Sequence, residues 1–393
     1  MTSARFRVAI ACGGTGGHLF PGLAVAQQLL DNGCAVTLLI SPKEVDQQAV
    51  RGARGMDVVT LPAVGLVQGR YLAFVRGFVR SYRMASRLFR EARPEAALAM
   101  GGFTSAPPVL AARRRGAKTF LHESNTIPGR ANRWLARFVD EAFVGFPDAA
   151  ERLGAKRAVW TGTPVRPQFA ARDAAASRAA LGLDPARPVL LVMGGSQGAR
   201  AINELVMRAL PGIVAALPEL QLLHLTGSGG DAERVREVCA RERVAAVVRE
   251  FLPEMHLALG AATVAVSRAG ASSLAELAAM RVPSVLIPYP TAMDDHQLHN
   301  ARAFEATGAA RVLEQRSATP ESLTRAVLEL ALDTAARIRM QAALAEWHRP
   351  NAARNIANAI LARMAWLTAE TPAARRGGPG FAEPDEHQTF SMA

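Results

Sequence analysis

Short runs of consecutive apolar residues recur along this chain, separated by longer stretches with helical spacing. In the first half the runs occupy residues 6–11, 35–40, 96–100 and 119–122, and in the second 189–193, 220–226, 245–249, 263–267 and 283–287. Such runs predict strands buried on both faces, with the intervening helices as their cover, which is the signature of a parallel sheet. The pattern restarts after a Pro-, Ala- and Arg-rich segment at 164–187. Two similar α/β halves are therefore expected.

Length agrees, because 393 residues exceed one ordinary domain and allow two sizeable cores. Cys12, Cys34 and Cys239 are too few and too scattered for a disulfide framework or a zinc site, so a reducing compartment is expected and no metal is implied. The apolar stretch at 8–12 is too short for a signal-peptide core and runs straight into glycines, so it reads as a first buried strand. No apolar run approaches the ~18 to 20 residues that span a bilayer. The net charge of +12 is uneven: residues 1–165 hold 22 Lys and Arg against 11 Asp and Glu, and residues 166–393 hold 24 against 23. A basic first half suits a phosphorylated substrate, anionic lipid or nucleic acid, and charge alone does not choose among them.

Both halves open with a strand, a glycine-rich turn and a helix. The first turn is Gly13-Gly14-Thr15-Gly16-Gly17-His18, and the second is Gly194-Gly195-Ser196-Gln197-Gly198-Ala199-Arg200. Such turns aim backbone N–H groups and a helix N-terminus at an anion. Leu19 stands where a dinucleotide fingerprint needs its third glycine, and the second turn lacks the lysine of a P-loop, which weakens dehydrogenase and ATPase readings.

Further motifs come in order: His122-Glu123-Ser124-Asn125, Gly162-Thr163-Pro164-Val165-Arg166, Ser267-Arg268-Ala269-Gly270-Ala271-Ser272-Ser273-Leu274-Ala275-Glu276, and Asp295-His296-Gln297 with Asn300. Together with the two turns, this set closely resembles glycosyltransferase family 28, the bacterial N-acetylglucosaminyltransferases of peptidoglycan synthesis. The resemblance implies a GT-B fold of two Rossmann-like domains facing each other across a cleft. It also implies inverting, metal-independent transfer, without a cofactor, from UDP-N-acetylglucosamine to the muramic-acid 4-hydroxyl of an undecaprenyl-diphosphate-linked muramoyl pentapeptide (lipid I). On that basis residues 1–165 bind acceptor and membrane, 166–346 bind the donor, and a final helix at about 347–367 returns to the first domain. Residues 368–393, with mixed charges and no periodicity, read as a disordered tail. A UDP-sugar transferase with another lipid or small-molecule acceptor is the alternative on the same fold.

The resemblance implies a role for each candidate. Glu276 holds the ribose, while Ser196 and Gln197 bind donor phosphates and Arg166 adds positive charge. The main chain at Leu252 pairs with uracil, Gln297 reads sugar hydroxyls, and Asn125 lies near the donor sugar. Thr15, Gly16, Gly17 and the helix start at Ala271, Ser272, Ser273, Leu274 and Ala275 complete the donor set. Taken singly, Glu276 reads equally as a solvated helix carboxylate, Arg166 as a surface charge and Ser196 as a helix cap. The ordered set is what points to a site. His18 closes the first turn, and its ordinary pKa near neutrality suits deprotonation of a sugar hydroxyl. It is expected to act as the catalytic base or to orient the acceptor, with Glu123 and His122 as rivals.

Residues 64–93 interleave Leu66, Val67, Tyr71, Leu72, Phe74, Val75, Phe78 and Val79 with seven arginines. Apolar wedges among arginines suit an anionic membrane surface, and equally an amphipathic helix packed on the sheet with solvated arginines. The basic charge of this half and the lipid-linked acceptor that the resemblance implies favour the first, with peripheral contact expected at the cytoplasmic face of the inner membrane. The resemblance adds partners from a cell-wall synthesis complex. No nucleic-acid module appears, so a nucleic-acid partner is not expected.

Overall fold

The computed structural model describes residues 5–14, 16–50, 53–65, 71–195 and 198–369. Its first unit runs β1 (Arg7–Ala11), α1 (Gly16–Asp31), β2 (Ala35–Ile40), α2 (Glu44–Ala49), β3 (Asp57–Thr60), α3 (Tyr71–Glu91), β4 (Ala96–Ala99), α4 (Ala106–Arg114), β5 (Lys118–Glu123), α5 (Arg130–Leu135), β6 (Glu141–Val144), α6 (Ala149–Leu153) and β7 (Ala158–Trp160). The second runs α7 (Ala174–Ala180), β8 (Val189–Met193), α8 (Arg200–Ala216), β9 (Gln221–Leu225), α9 (Ala232–Arg241), β10 (Ala246–Arg249), α10 (Met255–Ala261), β11 (Val264–Ser267), α11 (Ala271–Met280), β12 (Ser284–Leu286), α12 (His296–Ala306), β13 (Arg311–Val312), α13 (Pro320–Leu332) and α14 (Thr334–Trp347). A last helix, α15 (Ala352–Ala369), completes the chain's described elements.

Each unit holds one parallel sheet, ordered β3-β2-β1-β4-β5-β6-β7 and β10-β9-β8-β11-β12-β13. Both are doubly wound, and β1 pairs on one side with β2 (Val8↔Val36) and on the other with β4 (Val8↔Ala96). Strand order reverses at β1/β4 and again at β8/β11, where such sheets open a crevice beyond the strands' carboxyl ends. Both glycine turns lie there.

The apolar runs become the central strands because a parallel strand roofed by helices needs both faces apolar. β1 from Val8 to Ala11 and all of β8 are buried. α15 returns to the first unit, where Ile356, Ile360 and Met364 join a core with Val8, Ile10 and Leu38. Arg363 Nε on the same helix donates to the buried Glu141 carboxylate at 3.2 Å. The helix continues to Ala369, two residues past its expected end, and the rest of the expected tail lies outside the described residues. At the junction, Phe146 of the first unit packs on Phe304 and Trp347 of the second, with ring centroids 6.1 and 5.3 Å away, while Phe304 and Trp347 stack at 4.5 Å.

Candidate functional site between the two units

At the first switch point the chain leaves β1, makes the glycine turn and enters α1. Gly22 of α1 leaves no room for a side chain, since a Cβ there would lie 2.6 Å from Cys12 Cβ, so the helix start is pressed onto the strand end. His18 stands on the first turn of α1, and its ring lies against Gly101 and Gly102, just beyond β4. A Cβ on either glycine would come within 2.9 or 3.1 Å of the imidazole. Burial pushes the His18 pKa down to about 4, with Asp46 opposing the shift and His296 and Lys43 adding to it. The value near neutrality expected from sequence does not hold in the fold, because desolvation disfavours the imidazolium. His18 is a neutral acceptor at physiological pH.

The two rivals for the base occupy different surroundings. His122 is fully buried. One ring nitrogen, Nε2, lies 3.1 Å from the Gly162 carbonyl, and Nδ1 lies 3.2 Å from the Ser124 hydroxyl. A carbonyl only accepts, so Nε2 carries the proton and Nδ1 takes the hydroxyl's, leaving neither nitrogen for a substrate. Glu123 is also buried, and its carboxylate is saturated. Oε1 accepts from Asn125 N (2.8 Å) and Nδ2 (3.1 Å), and Oε2 from Gly129 N (3.0 Å) and Asn132 Nδ2 (2.7 Å). Burial raises its pKa against these four donors. The carboxylate shapes the loop between β5 and α5.

That loop reaches across to the second unit. Asn300, fully buried on α12, donates from Nδ2 to Asn125 Oδ1 (3.0 Å) and Ala269 O (3.2 Å), and its Oδ1 accepts from Thr126 N (2.9 Å). Asn300 thus ties the Glu123 loop to the start of α11. Beside it, Asp294 pairs with Arg130 and Arg133 at 3.1 and 3.2 Å. Arg130 is 69% exposed, so this contact is worth ~0–1 kcal/mol and is screened by salt.

The helices behind the two switch points also touch. Ser272 Oγ, on the first turn of α11, donates to Gly17 O at 3.0 Å. Glu276 lies one turn further along α11, with 16% of its side chain exposed, and faces Arg166 at 3.7 Å. The Arg166 guanidinium sits 4.2 Å from the Phe20 ring centroid and 4.9 Å from that of Phe169. Burial pushes the Glu276 carboxyl up to about 7 despite Arg166. The structure therefore brings His18, Gly16, Gly17, Asn125, Arg166, Ser272 and Glu276 to the boundary between units. Ala271 and Leu274 turn their side chains into the core, so only their main chain is available to a ligand, whereas Ser273 and Ala275 are half-buried. Leu252 is likewise buried beside the exposed Phe251. Gln297 Oε1 accepts from Tyr289 N (3.0 Å) and Ala269 N (3.3 Å), so the end of its amide that these bonds do not use is the donor end.

Thr15, Ser196 and Gln197 lie outside the described residues. The second turn is visible on either side of them. Gly198, at φ +74°, passes so close to the next strand end that a Cβ would lie 2.3 Å from Thr226 O. Beneath it, Asn203 Nδ2 donates to Thr226 O and Asp231 Oδ2, and His224 Nε2 donates to Asn203 Oδ1 at 2.9 Å. Sequence reasoning assigned no role to Asn300, Asp294 or this buried cluster. Only Asn300 carried a signal, its place in the Asp295-His296-Gln297 motif.

The first unit matches the glycosyltransferase family 28 N-terminal domain over residues 8–144, and the second the family 28 C-terminal domain over 189–358. The UDP-N-acetylglucosamine–N-acetylmuramyl-(pentapeptide) pyrophosphoryl-undecaprenol N-acetylglucosamine transferase of Xanthomonas euvesicatoria pv. vesicatoria is 38% identical over 400 residues, covering 98% of this chain and 88% of its own. The protein of the same description from Chlorobium luteolum is 38% identical over 363 residues, 90% of this chain and 98% of its own. The crystal structure of Acinetobacter baumannii MurG superposes with a TM-score of 0.71 at 26% identity, covering 91% of this chain and 99% of that one. With two parallel-sheet units meeting at their switch points in the GT-B arrangement, and matches to both of its domains, the chain belongs to glycosyltransferase family 28.

Proposed function

We infer that this enzyme transfers N-acetylglucosamine from UDP-N-acetylglucosamine to the C4 hydroxyl of the muramic acid in undecaprenyl-pyrophosphoryl-MurNAc-pentapeptide, forming lipid II. The observation that carries the reading is the meeting of α1 and α11 at the Ser272–Gly17 contact, which sets a neutral imidazole and a desolvated carboxylate on opposite walls of one cleft. The relatives' shared description supports the donor and acceptor.

In this reading the second unit, 166–346, holds the donor. Glu276 accepts the ribose hydroxyls, and the Leu252 main chain pairs with uracil. Ser196, the Gln197 and Gly198 amides and Arg166 neutralise the leaving diphosphate. Asn125 and Gln297 flank the sugar, and Thr15, Gly16 and Gly17 contribute to donor binding from the first unit. The acceptor oxygen attacks C1 as the C1–diphosphate bond breaks with its electron pair, inverting the centre, and the hydroxyl proton passes to His18. The diphosphate's negative charge raises the proton affinity of His18 when the donor is bound, bringing a base of pKa about 4 towards the working range. Glu123 acts as a positioning residue for Asn125.

The first unit, 1–165, takes the acceptor and meets the membrane through α3. Its Gly77, Ser81, Ala85 and Phe89 row is buried, while Tyr71, Leu72 and Val75 are more than half exposed among outward arginines. Phe74 and Phe78 are half-buried and pack on each other rather than pointing out, because they flank the buried row. Leu66 and Val67 lie outside the described residues. A groove of about 440 Å³ between α3 and α4, lined by Tyr82, Ser86, Arg114 and Arg115, suits an anionic headgroup. No described helix is long and apolar enough to cross a membrane, and attachment in this reading is peripheral, at the cytoplasmic face.

The test is UDP release from UDP-N-acetylglucosamine with and without a lipid I analogue, by wild type and Glu276→Ala. Acceptor-dependent release that drops sharply in the variant supports both the reaction and the donor site. A folded wild-type protein that binds UDP without acceptor-dependent release discards the acceptor.

A further inference from the structure

Two charged side chains from outside the first glycine turn grip a single residue within it. Gly14, at φ +112°, donates its N–H to Asp46 Oδ2 at 2.6 Å, and its carbonyl accepts from Lys43 Nζ at 2.8 Å. Asp46 is fully buried on the first turn of α2, where the same Oδ2 accepts from the Ser41 N–H at 3.2 Å and from the Ser41 hydroxyl. Lys43 immediately precedes α2 and extends over the Phe103 ring, 5.4 Å from its centroid.

A neutral side chain is enough to satisfy one N–H in a tight turn. A buried carboxylate is a costly substitute unless its bonds are good. An anion on the N–H and a cation on the C=O of the same residue do two things a neutral cap does not. They fix the direction of both flanking peptides, and they impose a field on the start of α1. His18 stands there, four residues beyond Gly14, with its ring against Gly101 and Gly102. The charged or titratable groups facing it are Asp46 and Lys43 from the clamp, His296 from α12 and His122 from β5. Asp46 alone among them favours the imidazolium.

We propose that Asp46 and Lys43 are positioning residues for the transfer step, holding the first glycine turn through Gly14 so that His18 faces the acceptor hydroxyl, and setting by their opposite charges how readily His18 takes its proton. The proposal rests on His18 as the base. No atom of the clamp enters the bond changes: the proton leaves the acceptor oxygen for the imidazole as the new C1–O bond forms and the diphosphate departs.

The experiment is kcat against pH for the full chain as wild type, Asp46→Asn, Lys43→Met and His18→Ala, with UDP-N-acetylglucosamine and a lipid I analogue. Asp46→Asn retains an oxygen to accept the Gly14 N–H but loses the charge. Its acidic limb should move to lower pH, and its plateau kcat should fall about 3- to 10-fold as the base weakens. Lys43→Met removes the opposing charge, so its limb should move to higher pH. Opposite displacements are the discriminating result, since loosening a structural contact gives no reason for the two variants to shift in opposite directions. If His18→Ala abolishes the limb while both clamp variants leave it in place, or move it the same way, the clamp proposal is overturned and His18 stands. A limb that survives His18→Ala overturns the base assignment and the clamp with it. Should Asp46→Asn fail to fold, Lys43→Met decides alone: an upward shift supports the proposal and an unmoved limb overturns it.

Discussion

Asn300→Asp exchanges one nitrogen for an oxygen at a fully buried position and leaves the packing unchanged, so it isolates the hydrogen bonds that join the two units. The wild-type orientation is set by a chain of partners. Glu123 only accepts, so Asn125 must turn its Nδ2 to Glu123 and its Oδ1 to Asn300, which must then present Nδ2 to Asn125 and Ala269 and Oδ1 to Thr126 N. With aspartate at 300, the Thr126 bond survives, but a second carboxylate oxygen faces Asn125 Oδ1 and Ala269 O. Flipping the Asn125 amide only moves the clash to Glu123. Two acceptors, the buried Ala269 O and the part-buried Asn125 Oδ1, lose their donor at about 1–3 kcal/mol each, so the closed arrangement loses roughly 2–6 kcal/mol. That is a factor of about 30 to 25,000 in the closed-to-open equilibrium. The assay is kcat/KM for the donor at saturating acceptor, beside the melting temperature and the small-angle scattering radius of gyration. The expected result is a folded protein with a larger mean radius and kcat/KM reduced at least tenfold. Wild-type kcat/KM and radius in a folded Asn300→Asp variant would refute the claim that this residue holds the units together for catalysis.

Three other perturbations bear on the same structure. Glu276 is held up to about 7 and its ionised form accepts the ribose hydroxyls, so affinity for UDP-N-acetylglucosamine, whose diphosphate does not titrate in this range, should fall as pH drops through 7 and be flat in Glu276→Gln; calorimetric titration between pH 5.5 and 8.5 checks this, and a pH-independent wild type sinks it. Burial lowers His122 to about 4 against its usual 6.5, so its contribution to stability is complete above 6.5 and is lost as pH falls towards 4. The stability difference between wild type and His122→Gln should therefore change, against the wild type, by about 1.4 kcal/mol per pH unit within that window, and a constant difference in urea melts contradicts the burial argument. Leu72→Glu with Val75→Glu on the exposed face of α3 should abolish flotation with phosphatidylglycerol vesicles while activity on a soluble acceptor analogue stays within about twofold, as befits surface changes; undiminished flotation moves the membrane contact elsewhere.

The strands most legible in the sequence are those buried on both faces, because parallel pairing under helices forces uninterrupted apolar runs. β3 and β7 escaped because they lie at the sheet edges, β3 with Asp57, Val58 and Thr60 exposed, and an edge strand needs no such run; β6 escaped although it is buried throughout, because it is only four residues long and opens on the charged Glu141. β13, two residues long, is recruited by its neighbour β12 rather than specified by its own pattern. The glycine turns were legible because close approach to a main chain can be met only by removing the side chain, which leaves a visible residue type. The supports of those turns were not. Asp46 and Lys43 act on main-chain atoms of Gly14, 32 and 29 residues away, and a main-chain partner leaves no residue type to recognise.

The same distinction governs the chemistry. A sequence supplies reference pKa values, and by that measure His18 looks poised at neutrality and Glu276 looks like one more ionised surface carboxylate. Folding reverses both. The imidazole becomes a neutral, weak base, and the carboxyl becomes one whose charge depends on Arg166, held between Phe20 of α1 and Phe169 in the segment that joins the two halves. A solvated helix glutamate would not be raised to about 7, so the burial that hid the role of Glu276 from the sequence is what separates it from that ordinary reading. Because Phe20 belongs to the first unit and Glu276 to the second, any opening of the cleft rehydrates the Arg166–Glu276 pair and returns the carboxyl towards its usual range. Donor affinity and interdomain closure are therefore linked through one desolvated ion pair. A change such as Asn300→Asp, which touches no donor atom, should for that reason also weaken the pH dependence of UDP-N-acetylglucosamine binding near pH 7.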